Sequence, residues 1–176
     1  MTINVRPLST DDIGTVVELS LRAWQPVFES FRKILGVEIF ERVYPDWAAG
    51  QARAVESVCR AEGTRVWVAD YDARPVGFVA TVIHEGPVRG EIDMVAVDPD
   101  HQGRGTGGLL VSFAVERLAE AGVPVVEIGT GGDPGHAPAR RVYEKAGFTQ
   151  LPLVRYYKAL PDETRSGENA STSEQG

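Results

Sequence analysis

The sequence predicts a mixed α/β fold, a mostly antiparallel central sheet of about seven strands flanked by about four helices. Three observations carry that reading. The chain has 176 residues, 43% of them hydrophobic, which suits one globular domain with its own core. Its apolar residues switch between strand-like alternation and helical spacing in the order β-αα-βββ-α-β-α-ββ, not as a regular βαβ series. Turn and capping residues fall between those segments. The domain spans residues 1–160, and the polar stretch 161–176 lacks aromatics and is expected to be disordered.

Residues 3–9, INVRPLS, form the first expected strand. Ser9 or Thr10 can cap a helix from Asp11 to about Trp24, with Ile13, Val16, Val17, Leu19 and Ala23 apolar. Pro26 is expected to interrupt it. A second helical region runs from Gly36 to about Ala61, broken near Pro45. Residues 64–72 and 76–84 alternate as two arms of a hairpin around a turn at Asp72-Ala73-Arg74-Pro75. After a second turn at 85–90, EIDMVAV (91–97) is the last strand of the meander. A helix is expected from about Gly105 to Ala121, ended by Gly122 and Pro124. VVEIGTG (125–131) is a buried strand, and residues 139–146 a short helix stopped by Gly147. FTQL and LVRYYKAL then close the domain as a β-pair.

Charge and cysteine content narrow the function. The formal net charge is −7. Asp162, Glu163, Glu168 and Glu174 against Arg165 place −3 of it in residues 161–176, leaving −4 for residues 1–160. No basic stripe is available to displace nucleic-acid counterions, so no nucleic-acid partner is expected. An acidic surface favours cationic partners mildly. The single cysteine, Cys59, permits no internal disulfide and points to a reducing cytoplasm. No apolar run reaches membrane-spanning length, and MTINVRPLST has no signal-peptide core.

The chemistry centres on HQGRGTGG (101–108), with four glycines just ahead of an apolar helical run. The first N–H groups of a helix lack internal partners and can bind a phosphate, if no side chains obstruct the approach. Gly103, Gly105 and Gly108 match the dinucleotide pattern G-x-G-x-x-G, with Glu127 about twenty residues on. That pattern requires glycines directly after a strand, whereas residues 98–102 intervene and a meander precedes them. No G-K-[ST] follows, which rules out a P-loop. Arg104 either adds charge at the rim or is a solvated surface arginine.

VAVDPDHQGRGTGGLL resembles motif A of the GCN5-related N-acetyltransferase (GNAT) family. That motif is an (Arg/Gln)-x-x-Gly-x-(Gly/Ala) loop, matched by Gln102, Gly105 and Gly107. ARRVYEKAGF (139–148) is similar to the family's motif B through Ala139, Tyr143, Glu144, Lys145, Gly147 and Phe148. The resemblance covers about residues 3–160 and is specific over 91–148. One departure is His136, where many relatives carry asparagine.

The resemblance implies acetyl-CoA as co-substrate and direct transfer to an amine in a ternary complex. Gln102, Gly103, Arg104, Gly105, Thr106 and Gly107 would hold the diphosphate, with His136 as a further cofactor contact. Val95, Ala96 and Val97 would receive the pantetheine arm as an added strand, and the N–H near Val97 would polarise the thioester oxygen. An alkylammonium, with a pKa of about 10.4, needs a base. By period-two alternation Glu91, Asp93, Val95 and Val97 share one face, so Glu91 or Asp93 is the candidate base or amine anchor; the resemblance implies that a β-bulge in this strand would shift which of the two faces the cleft. Tyr143 would contact cofactor and protonate the departing thiolate. Cys59 reads as a small core residue. His84, His101 and His136 have no metal spacing, and no metal is expected. The acceptor is expected to be the primary amine of a small cationic molecule, shaped by residues 24–47, 85–90 and 151–153. A peptide or protein amine is the alternative within the enzyme reading. A non-catalytic acyl-CoA-binding regulator is the alternative outside it. The resemblance also admits a homodimer.

Overall fold

The computed structural model describes residues 3–86 and 88–161, so the expected disorder of 161–176 lies, but for Pro161, outside the described residues. Five strands form one sheet: β1 (Asn4–Pro7), β2 (Arg65–Tyr71), β3 (Arg74–His84), β4 (Arg89–Val97) and β5 (Val126–Ile128). They lie in the order β1-β2-β3-β4-β5. The first four are antiparallel to their neighbours, and β5 is parallel to β4. Four helices flank the sheet: α1 (Ile13–Val43), α2 (Trp47–Arg60), α3 (Thr106–Glu120) and α4 (Ala137–Lys145). Among the described residues no helix is long and apolar enough to cross a membrane.

Two cores cover the two faces of the sheet. On one, Val79, Ile92 and Val97 pack with Leu110, Val111, Ala114 and Leu118 of α3. On the other, Val68, Phe78 and Ala96 meet Val16 and Leu19 of α1 and Val55 of α2. Phe78 and Val79 are adjacent and fully buried, so β3 is apolar on both faces. Burying each side chain contributes about 2 kcal/mol.

Three expectations are corrected. Pro26 does not end the first helix. α1 runs through it and instead breaks at Gly36, whose φ of 75° and ψ of 162° are not helical. An interior proline costs about 3 kcal/mol, and burial of Val27 and Phe28 on the next positions offsets it. The break that separates α1 from α2 lies at residues 44–46.

Second, the sheet has five strands among the described residues, not seven. Residues 149–161 form no strand. Their apolar side chains find no surface to cover: Leu151, Leu153, Val154 and Tyr156 are 79–90% exposed. The segment is tethered at its end, where Arg42 Nη1 donates to the Leu160 carbonyl at 2.6 Å.

Third, β4 does not keep one alternation along its length. Thr81 pairs with Ile92 and Ala80 with Met94, so Asp93 is an extra residue in a β-bulge. Ile92, Val95 and Val97 pack on the α3 side, whereas Met94 and Ala96 pack on the α1 side. A side chain at Gly90 would strike Leu118 of α3 at 2.8 Å. Glu91, between Gly90 and Ile92, therefore points to the α1 side. Glu91 and Asp93 do not share the face of Val95 and Val97, because the bulge reverses the alternation between the two pairs.

Candidate active site

The site is built around a split between β4 and β5. The two strands pair over Gly90–Val126, Glu91–Glu127 and Ile92–Ile128. There β5 ends, while β4 runs on to Val97. Beyond Ile92 the ladder joins β4 to β3 on one side only, so Val95, Ala96 and Val97 present a backbone edge toward the gap. The split opens toward the N-terminus of α3.

The turn from β4 into α3 is fixed by its own side chains. Asp98 accepts from the Asp100 backbone N–H at 2.9 Å. Gln102 Nε2 donates to the Val97 carbonyl at 2.9 Å, pinning the loop across the end of β4. Gly103 and Gly105 adopt φ of 73° and 87°, left-handed conformations that cost other residues about 1–2 kcal/mol. Gly105 is the cap of α3 and its carbonyl accepts from Leu109 at 3.0 Å. The N–H groups of Thr106, Gly107 and Gly108 have no intrahelical acceptor. Residues 102–105 are exposed, Arg104 included, while the Thr106 side chain is buried and offers only its backbone. A Cβ at Gly103 or Gly105 would meet nothing within 4 Å. The glycines therefore leave open space above a cluster of amides, which fits a bound diphosphate.

Arg22 of α1 braces this loop from the far side. Nη1 reaches Asp98 and Nη2 reaches Asp100, both at 2.7 Å. No sequence signal joins residues 76 positions apart, and the contact appears only once α1 crosses the sheet.

The carboxylates lie at the other end of β4. Glu91 Oε2 is 2.6 Å from His84 Nε2. Partial burial and the neighbouring Glu91 hold the Asp93 carboxyl above its usual range, with His84 opposing. Glu127, opposite Glu91 on β5, accepts from Arg89 Nε at 2.7 Å. Donor atoms of His84, Glu91 and Glu127 lie within 4.8 Å of one another. They form two hydrogen-bonded pairs across three strands, His84 with Glu91 and Arg89 with Glu127. Sequence reasoning treated His84 only as a residue without metal spacing. Its position across the hairpin from Glu91 was the available signal.

Tyr143 sits on α4, edge-on to Phe148 at 6.3 Å, and packs against the α3-side core. Burial pushes its phenol up to about 12. His136 is pinned by Asp133, which accepts its Nδ1 proton, and its ring lies 5.7 Å from that of Phe31. Arg140 Nη1 donates to the Gly131 and Asp133 carbonyls at 2.5 and 2.8 Å. His136 thus helps to fix the loop ahead of α4, whatever else it contacts.

The acetyltransferase (GNAT) family profile matches residues 24–148, more than half of the chain. The chain belongs to the GNAT acetyltransferase family. A mycothiol acetyltransferase of Thermomonospora curvata is 32% identical over 115 residues, 65% of this chain but 38% of that protein. The chain therefore spans well under half of that relative. Among solved structures, a mutant Bacillus halodurans protein superposes with a TM-score of 0.70 at 17% identity, covering 89% of this chain and 99% of its own. An aminoglycoside N-acetyltransferase in complex with CoA gives 0.59 at 14% identity, covering 90% and 95%. At such identities the superpositions establish the GNAT fold alone.

Proposed function

We propose that this GNAT protein transfers the acetyl group of acetyl-CoA directly to the primary amine of a small cationic acceptor. The observation that carries the reading is the split of β4 from β5 ending in the glycine loop at α3. Backbone amides of Gly103 to Gly107 grip the diphosphate, with Arg104 at the rim and Gln102 holding the loop closed. The free edge of β4 at Val95, Ala96 and Val97 receives the pantetheine arm, and a main-chain N–H there polarises the thioester oxygen.

Glu91 accepts a proton from the incoming ammonium, directly or through water. It points to the α1 side of the sheet, where the acceptor-shaping segment lies, while the thioester lies along the strand edge. Asp93, on the bulge, is the second carboxylate and anchors the amine. Tyr143 donates a hydrogen bond to the departing sulfur. Full proton transfer from a phenol at about 12 to a thiolate whose acid lies near 8.5 runs uphill by several pKa units, so the reading favours donation over proton loss.

Support for a small cation comes from three sides. The chain carries a net charge of −7. A cavity of about 450 Å³ along the second half of α1 and the start of α2 has Glu29, Glu41 and Arg32 beside the aromatic rings of Phe28, Tyr44 and Trp47; Arg32 pairs with Glu41 at 3.4 Å, which leaves the lining net acidic by one charge. A relative of 32% identity is named for mycothiol, a small molecule. The test is calorimetry with CoA followed by mass spectrometry of products over a panel of polyamines, aminoglycosides, amino sugars and amine-bearing peptides. A small-molecule product gaining one acetyl group is expected. No uptake of CoA would remove the mechanism, and acetylated peptides alone would replace the acceptor class.

A further inference from the structure

We infer that His84 is a positioning residue for the base of this acyl transfer, an inference that rests on Glu91 holding that role. β3 and β4 pair so that Val82 stands opposite Glu91 and His84 opposite Arg89. His84 is therefore diagonal to Glu91. Thr81 and Ile83 line a pocket with Arg117 and Leu118 of α3, so alternation turns His84 toward the α1 side, the side of Glu91. The Nε2–Oε2 distance of 2.6 Å is short for a ring N–H meeting a carboxylate, the class of hydrogen bond that an ionised acceptor tightens.

Glu91 needs such a partner. Its side chain is 31% exposed, and an untethered glutamate loses about 1–2 kcal/mol of rotamer entropy when held in one orientation. It also faces a like charge, since Glu127 is its register partner on β5. Arg89 draws Glu127 aside, and His84 ties Glu91 toward β3. The ring N–H occupies Oε2 and leaves Oε1 to meet the amine. The imidazole stays outside the reacting atoms. Its part is to hold one carboxylate orientation before the acceptor arrives, which a site on neighbouring rigid strands can do within the tolerance that catalysis needs.

The test is steady-state kinetics on the wild type, His84→Ala, His84→Gln, Glu91→Gln and the double variant His84→Ala/Glu91→Gln, with the acceptor of fastest turnover in the panel above. His84→Ala should lower kcat about 10-fold and leave the KM for acetyl-CoA within about twofold. His84→Gln, which keeps an N–H donor, should recover most of the loss. Adding His84→Ala to Glu91→Gln should cost nothing further, because the carboxylate being held is gone. Imidazole ¹⁵N spectra give a readout independent of turnover: Glu91→Gln should move the His84 Nε2 resonance and leave His101 and His136 in place. Wild-type kcat in His84→Ala alongside a slow Glu91→Gln would overturn the inference, as would fully multiplicative losses in the double variant. Wild-type speed in Glu91→Gln, or no turnover with any acceptor, would instead overturn the proposed function beneath it.

Discussion

The two halves of β4 do different work with different parts of the chain. Before the bulge, Gly90 to Asp93 is paired on both edges for most of its length and displays carboxylates. After it, Val95 to Val97 is paired on one edge, and its side chains are core residues. One half offers side-chain chemistry on the α1 face. The other offers main chain along the split. A single extra residue, Asp93, divides them, and in the proposed mechanism each half faces its own substrate. Chemistry that depends on side chains should be sensitive to substitution at one position. Binding that depends on main chain should respond to conformation and hardly to side-chain identity.

The largest effect expected is in the side-chain half. Glu91→Gln should lower kcat about 100-fold while sparing CoA affinity by calorimetry, as removal of a general base does. Equal losses in both quantities would erase the division. Next comes the loop that continues the main-chain half. Gly105→Ala should weaken acetyl-CoA about tenfold, because its φ of 87° disfavours any other residue and the new Cβ enters the space left for the ligand. Unchanged affinity would move the diphosphate elsewhere. Tyr143→Phe should reduce kcat several-fold, the loss of one hydrogen bond of about 1 kcal/mol to the departing sulfur. The phenol is held at about 12 against about 10 when unfolded, so its contribution to stability is complete below pH 10 and is lost between there and 12. The wild type should therefore destabilise across that window more steeply than the Tyr143→Phe variant in alkaline melts. The smallest effect is Val95→Ala. It should cost about 1 kcal/mol of stability through lost packing, with acetyl-CoA affinity within about twofold. A large affinity loss there would mean that side chains, not main chain, hold the pantetheine.

The division was half legible in the sequence. The loop at 102–107 and the helix carrying Tyr143 stand out because glycine and cap chemistry are local, and the described elements follow in the expected order. Alternation alone failed at Asp93, because a bulge is set by the partner strand; the resemblance admitted a bulge in β4 but not its position. His84 and Arg22 were missed for a related reason: each acts on a residue brought near by strand pairing or helix crossing. Pro26 misled, since a local helix-breaking rule competes with burial that only the tertiary fold supplies. The expected pair of closing strands in 149–160 has the right alternation but no neighbouring edge to join.

The brevity of β5 has a thermodynamic consequence. With only three ladder positions beside β4, the free protein leaves hydrogen-bonding groups to solvent that, in the proposed mode of binding, an extended pantetheine would satisfy. Folding and saturation by coenzyme are then linked quantities. At a ligand concentration about 100 times the dissociation constant the native state gains about 2.7 kcal/mol. The melting point of this protein should therefore report the acetyl-CoA level around it.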